Sequence, residues 1–174
     1  MSDSEPAPPS SAALRREVAA LLPDLRAFAR FLARDRAAAD DLVQDTVVRA
    51  LGAIDQFVPG TNLKAWLFTI QRNAFYEQAR RRRREDTLMR AQAPPENAGA
   101  PAQLARNEIS DLQRLIWDLP PLLREALTLV AAQELSHEEA AMICGVPVGT
   151  MKARLSRARA ALTRALERAG QAGG

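Results

Sequence analysis

The chain has 174 residues, enough for one ordinary domain or two small ones. Some 47% are hydrophobic and only 5% aromatic, and Leu, Ala, Arg and Glu dominate. With no run of alternating Val, Ile and Thr, the composition predicts an all-α chain. The single cysteine, Cys144, excludes an internal disulfide and a cysteine-held zinc cluster, and a reducing cytoplasm is the expected compartment. No apolar stretch is long enough to span a membrane, and the acidic, proline-rich residues 1–10 lack the apolar core of a signal peptide. The net charge of +3 hides an uneven distribution. Residues 60–90 hold eight Lys and Arg against three Asp and Glu, and residues 150–174 hold six against one. On an otherwise acidic chain, two basic segments short of local acid point to two contacts with a polyanion.

Taken in chain order, residues 1–11 are expected to be disordered. Leu14, Val18, Leu21, Leu25, Phe28 and Leu32 come next at helical spacing, with a break or kink at Pro23. A second amphipathic helix over 37–54 carries Leu42, Val43, Thr46, Val47, Ala50, Leu51 and Ile54. Val58-Pro59-Gly60-Thr61-Asn62 is a turn in which Thr61 or Asn62 can cap the next helix. That helix, over 63–84, has Leu63, Trp66, Leu67, Ile70 and Ala74 on one side and ends in five arginines, Arg80 to Arg84. Residues 86–105 contain Ala93-Pro94-Pro95-Glu96-Asn97-Ala98-Gly99-Ala100-Pro101, which has no periodicity and reads as a flexible linker. It divides the chain into two helical domains, 12–85 and 106–169.

The second domain is expected to have helices over 106–118, from Pro120 and Pro121 to about Gln133, and over 137–144 and 150–168. Ser136 and Glu139 fit a capping box, Gly145 fits a left-handed helix end, and Val146-Pro147-Val148-Gly149 is a tight turn, with Thr150 able to cap the last helix. Helix, glycine turn and second helix at this spacing make a helix-turn-helix. On the last helix Met151, Leu155, Ala158, Leu162 and Leu166 form an apolar stripe. Ala153, Ser156, Arg157, Arg164 and Arg168 lie roughly opposite, and Thr150, Lys152 and Arg154 flank the N-terminal end. An apolar back with a small, basic front suits a helix laid in the major groove. The sequence offers no nucleophile–base pair, metal-ligand cluster or phosphate-cradling Gly-rich loop, so neither an enzyme nor a cofactor is expected. His137 stands beside a cap, and Cys144, Trp66 and Trp117 read as packing residues.

These segments resemble the extracytoplasmic-function (ECF) group of bacterial sigma factors. Gly145-Val-Pro-Val-Gly-Thr-Met-Lys-Ala-Arg-Leu-Ser-Arg-Ala-Arg159 is similar to the region 4 helix-turn-helix. Asp40-Asp-Leu-Val-Gln-Asp-Thr-Val-Val-Arg-Ala50 is similar to region 2.2, and Trp66-Leu-Phe-Thr-Ile-Gln-Arg-Asn73 with the arginine run to regions 2.3 and 2.4. Pro59-Gly-Thr-Asn-Leu-Lys-Ala-Trp-Leu-Phe-Thr-Ile70, with Arg26-Ala-Phe-Ala-Arg30 upstream, resembles the general-stress-response subgroup.

The resemblance implies a factor that binds core RNA polymerase at the β′ clamp helices and β flap, recognises promoter DNA, melts the −10 element and answers to an anti-sigma factor. It implies docking on β′ by Asp41, Gln44, Asp45 and Arg49, which share a polar face. It implies capture of a flipped −10 base by the Asn73 amide, with Arg72, Arg80, Arg81, Arg82, Arg83 and Arg84 on phosphates. It places Thr150, Lys152, Ala153, Arg154, Ser156 and Arg157 at a GGAAC-like −35 element. The alternative is a sigma-like interaction module that titrates an anti-sigma factor, although a mimic has no need of basic DNA-facing helices. A simple helix-turn-helix repressor leaves the first half unexplained.

Overall fold

The computed structural model describes residues 10–92 and 111–172, and every regular element among them is helical. The expected disorder over residues 1–11 falls, but for Ser10 and Ser11, outside the described residues, as does most of the expected linker.

The first apolar run divides into α1 (Ser11–Ala20) and α2 (Leu22–Leu32), with Pro23 in the first turn of α2, where its missing N–H costs no hydrogen bond. α3 (Arg36–Gly52) starts where the Asp35 carboxylate accepts from Ala38 N at 2.9 Å. A single 3₁₀ turn, Ile54–Gln56, closes it off. Of the two candidate caps for α4 (Leu63–Gln92), Asn62 is the one used: its Oδ1 accepts from Ala65 N at 3.2 Å, while Thr61 Oγ1 donates to Val58 O. α4 does not stop at the arginine run but continues to Gln92, so residues 86–92, expected in the linker, are helix. The extension is carried by good helix formers and by an Arg81–Glu85 pair at 2.9 Å across one turn.

In the second half, α5 is Asp111–Trp117 and α6 is Pro121–Leu127. The latter gives way to a π-helical turn over Thr128–Ala132, which shortens the helix expected to run to Gln133. α7 (His137–Cys144) has both halves of its capping box: Ser136 Oγ accepts from Glu139 N at 3.0 Å and the Glu139 carboxylate accepts from Ser136 N at 2.9 Å. α8 (Val148–Ala172) begins two residues before the expected start, with Met151 N donating to Pro147 O. Thr150 therefore lies inside its first turn and is not its cap.

In the first half, α2, α3 and α4 pack on one another. Phe28 and Phe68, both fully buried, meet at 4.7 Å between ring centroids. Side chains of this size contribute about 1.5–3 kcal/mol each when removed from water. Buried Gln71 ties α4 to α2 by donating to Leu25 O at 2.9 Å. In the second half α8 packs on α6 and α7 through Met151, Leu155 and Ala158, all buried. The apolar stripe of α8 does not stay covered to its end, since Leu166 is exposed.

The two halves, read from the sequence as two domains joined by a flexible linker, also touch one another. α4 lies against α7, and α2 against α6. One cluster of buried apolar side chains runs from Leu25, Leu67 and Phe68 on one side to Ala126, Ala140 and Ile143 on the other.

Candidate nucleic-acid and polymerase interface

The turn between α7 and α8 sets the direction of α8. Gly145 adopts φ 63°, ψ 38°, a left-handed conformation that strains any residue with a Cβ. Val146 N donates to Ala141 O at 3.0 Å and Gly145 N to Met142 O at 3.2 Å, the paired bonds of a Schellman motif. With Met151 and Leu155 anchored inward, Lys152, Ala153, Ser156 and Arg157 are presented to solvent, on the front expected for DNA. Arg157 folds back along the helix, Nε donating to Ala153 O at 3.3 Å. Two of the expected −35 residues are less accessible. Thr150 is half-buried, and so is Arg154, whose Nη1 is out of solvent without a hydrogen-bond partner.

On α3, Asp41, Gln44 and Arg49 are exposed and Asp45 is half-buried, so the four do share a face. Two of them are already engaged with α4: Arg49 bonds Asp45 at 3.0 Å and Glu77 at 2.7 Å, and Gln78 donates to Asp45 at 3.2 Å. Those two carboxylates push the Arg49 pKa up, keeping the guanidinium charged. The face also carries apolar surface, Val48 at 70% exposure and Leu51 at 37%.

On α4, Asn73 and the run from Arg80 to Arg84 are exposed. Arg72 is not free in the same way. Its Nε donates to Glu125 of α6 at 2.6 Å, with Nη2 to the other carboxylate oxygen at 3.4 Å, and its guanidinium lies 4.6 Å from the Tyr76 ring centroid. The Glu125 side chain is 2% exposed and that of Arg72 16%. Burial alone would depress the Arg72 pKa, but the bond and charge of Glu125 outweigh it and the pKa is raised, so the guanidinium stays charged.

Three further polar contacts flank this pair across the junction. Asn62 Nδ2 donates to Glu139 at 2.6 Å, Lys64 Nζ to Gln133 O at 3.1 Å, and buried Arg124 Nε to Phe31 O at 3.2 Å. Arg124 also stacks 4.1 Å over Trp117, whose ring faces Phe31 at 6.4 Å. Trp66 packs edge-on to Phe57, so each of the two half-buried tryptophans has an aromatic partner.

Sequence reasoning did not single out Glu125 or Arg124. The signal available was two adjacent charges inside the apolar run Pro121-Leu-Leu-Arg-Glu-Ala-Leu127, which need partners if that helix is buried. Among the described residues no group of His, Cys, Asp and Glu could hold a metal, and no helix is long and apolar enough to cross a membrane.

The comparisons with known proteins agree with this arrangement along the chain. The Sigma-70 region 2 family matches residues 18–85, and the Sigma-70, region 4 family matches residues 109–162. The ECF RNA polymerase sigma factor EcfG of Rhodopseudomonas palustris is 46% identical over 155 residues, spanning 89% of this chain and 86% of that protein. The ECF RNA polymerase sigma factor SigC of Mycobacterium tuberculosis is 36% identical over 152 residues, 86% of this chain and 81% of that one. Among solved structures, the sigma factor RpoE of Bartonella quintana, in complex with the anti-sigma factor NepR, superposes with a TM-score of 0.73. It is 43% identical, over 87% of this chain and 95% of that one. Two family matches in the right order, and relatives aligned along most of their length, leave one assignment: this chain belongs to the ECF sigma factors of the sigma-70 family, which bind core RNA polymerase and direct it to promoters.

Proposed function

We propose that this sigma factor reads a GGAAC-like −35 element with the first turns of α8 and opens the −10 element with α4. We further propose that it docks on the β′ clamp helices through α3, acts in the bacterial cytoplasm on stress-response genes, and is held inactive by an anti-sigma protein.

The observation that carries the reading is the exposed basic front of α8, with Lys152 and Arg157 held outward by a Schellman turn and an apolar back. A module that only titrates an anti-sigma factor has no use for that front. Anti-sigma control is supported by the likeness to RpoE of Bartonella quintana, solved with NepR. The apolar residues Val48 and Leu51 beside the docking face also need a partner. The stress-response assignment rests on the resemblance of residues 59–70.

Run-off transcription tests this directly. Core polymerase with the purified chain should initiate from a promoter carrying a GGAAC-like −35 element and not from one with that element scrambled. Initiation at neither template would overturn the reading.

A further inference from the structure

The positive charge of this chain is carried almost wholly by arginine. Of its 24 Lys and Arg, only two are lysines, Lys64 and Lys152. The distinction is chemical. A guanidinium keeps its protons in any protein, whereas the ε-amine of lysine can shed one and attack an acyl carbon. A reagent that acylates amines therefore finds two side chains here, one in each half.

The structure places the two in opposite surroundings. The Lys64 side chain, on α4, is 23% exposed. Its Nζ donates to Gln133 O at 3.1 Å, stands 3.6 Å from Asp24 Oδ1 and lies 5.7 Å from the Phe68 ring centroid. An attacking amine needs an open direction for its lone pair, and these partners occupy the approaches. Lys152, in the second turn of α8, is exposed and has no hydrogen bond or ion pair among the described residues. The residues bordering it on the helix surface are small. Gly149 lies one turn before, Ala153 beside it and Ser156 one turn after, all exposed. From Thr150 onward α8 carries no acidic residue before Glu167, while Arg157 and Arg159, both exposed, add positive charge.

We propose that Lys152 is a lysine-acylation site, where an acyl phosphate, an anionic donor drawn to the basic front of α8, acetylates the side chain and weakens that front on DNA. In the step the unprotonated ε-amine attacks the acyl carbon. A C–N bond forms and the acyl C–O bond breaks. Inorganic phosphate leaves with the bonding pair, and the surplus amine proton passes to water. The amide that results is neutral, so one positive charge disappears from the front. The loss of DNA affinity, though not the reactivity, rests on the proposed role of that front at the −35 element. Each phosphate contact contributes a slope of about 0.9 in log affinity against log salt, so giving one up weakens binding about eightfold at 0.1 M salt.

Treating the full chain with acetyl phosphate and mapping its peptides by mass tests the site. In the native chain Lys152 should be acetylated about tenfold faster than Lys64, the factor that one hydrogen bond from a charged group corresponds to. In urea the two should react at similar rates, because only the fold distinguishes them. After acetylation, binding to a −35 duplex should weaken about eightfold at 0.1 M salt, and the salt slope should fall by about 0.9. Lys152→Arg keeps the charge and offers no amine to acylate. Its affinity, measured before and after the same treatment, should not change.

Equal native rates at Lys64 and Lys152 would overturn the site. Selective acetylation without any change in −35 binding would overturn the control of DNA affinity and remove Lys152 from the contacts. A loss of binding that treated Lys152→Arg shares would overturn it too, since the effect would then lie at another amine. If the untreated chain binds cognate and scrambled −35 duplexes alike, the reading of α8 fails and the control of affinity with it. Selective acetylation would still establish Lys152 as the reactive site.

Discussion

Gly145→Ala isolates a backbone cost at the turn that aims the recognition helix. Gly145 sits at φ +63°, and a Cβ built there meets nothing within 4 Å, so the substitution adds no collision and the whole penalty is conformational. A left-handed alanine costs about 1–2 kcal/mol, offset by roughly 0.4–1 kcal/mol from the less flexible unfolded chain. The net loss is about 1 kcal/mol. At this chain length that lowers the unfolding midpoint by about 2–4 °C. Gly145→Asn, whose side chain tolerates the left-handed region, should lose less than half as much. Thermal and urea unfolding measure both variants. Binding to a −35 duplex at 25 °C should be unchanged, because Gly145 lies outside the proposed DNA-facing front of α8. Equal stability for glycine, asparagine and alanine would refute the reasoning. So would a loss above about 3 kcal/mol for alanine, which would require a clash that the open surroundings of this residue do not contain.

Other perturbations separate the roles proposed for individual residues. Asn73→Ala should slow promoter opening and leave closed-complex affinity and its salt dependence intact. The arginine contacts to phosphate remain, and a template already mismatched around −10 should rescue it, as permanganate footprinting would show. Arg157→Ala should weaken binding to a −35 duplex by about 1–3 kcal/mol on the cognate sequence if it meets a base edge, and equally on all sequences if it meets phosphate. A gel-shift series on cognate and scrambled duplexes distinguishes the two. The Glu139 carboxyl lies below its ordinary pKa of 4.5 because it accepts from the Ser136 backbone N–H and then from the Asn62 amide. Its stabilisation is therefore present above pH 4.5 and is lost as the pH falls through the lower folded value. The stability difference between wild type and Glu139→Gln should hold from pH 7 to about 5 and close at lower pH, as measured by urea unfolding. Burial, foremost, pushes the Cys144 thiol up to about 12. Iodoacetamide at neutral pH should therefore label the native chain far more slowly than the urea-unfolded one.

Local signals fixed a large share of this protein. The period of Leu25, Phe28 and Leu32, a cap at Thr61 or Asn62, the Ser136–Glu139 box and the Gly145 stop each act over fewer than ten residues, so they can be read without knowing what the chain folds against. The same holds for the α8 front, where an apolar stripe implies its opposite face. Some helix ends were misplaced because short-range chemistry competed there. An ion pair carried α4 past the arginine run, a π turn shortened α6, and α8 began at Val148 with Thr150 inside its first turn.

What the sequence could not show is the junction. Arg72 and Glu125 lie 53 residues apart, and no local pattern pairs one with the other. Only the tertiary structure buries them against one another, because the apolar faces of α2 and α4 are wide enough to receive α6 and α7 as well as their own neighbours. A pattern of hydrophobic spacing says that a face must be covered, not which helix covers it. Here a face of region 2 is covered by region 4, and that choice turns an expected phosphate contact into one half of a buried ion pair.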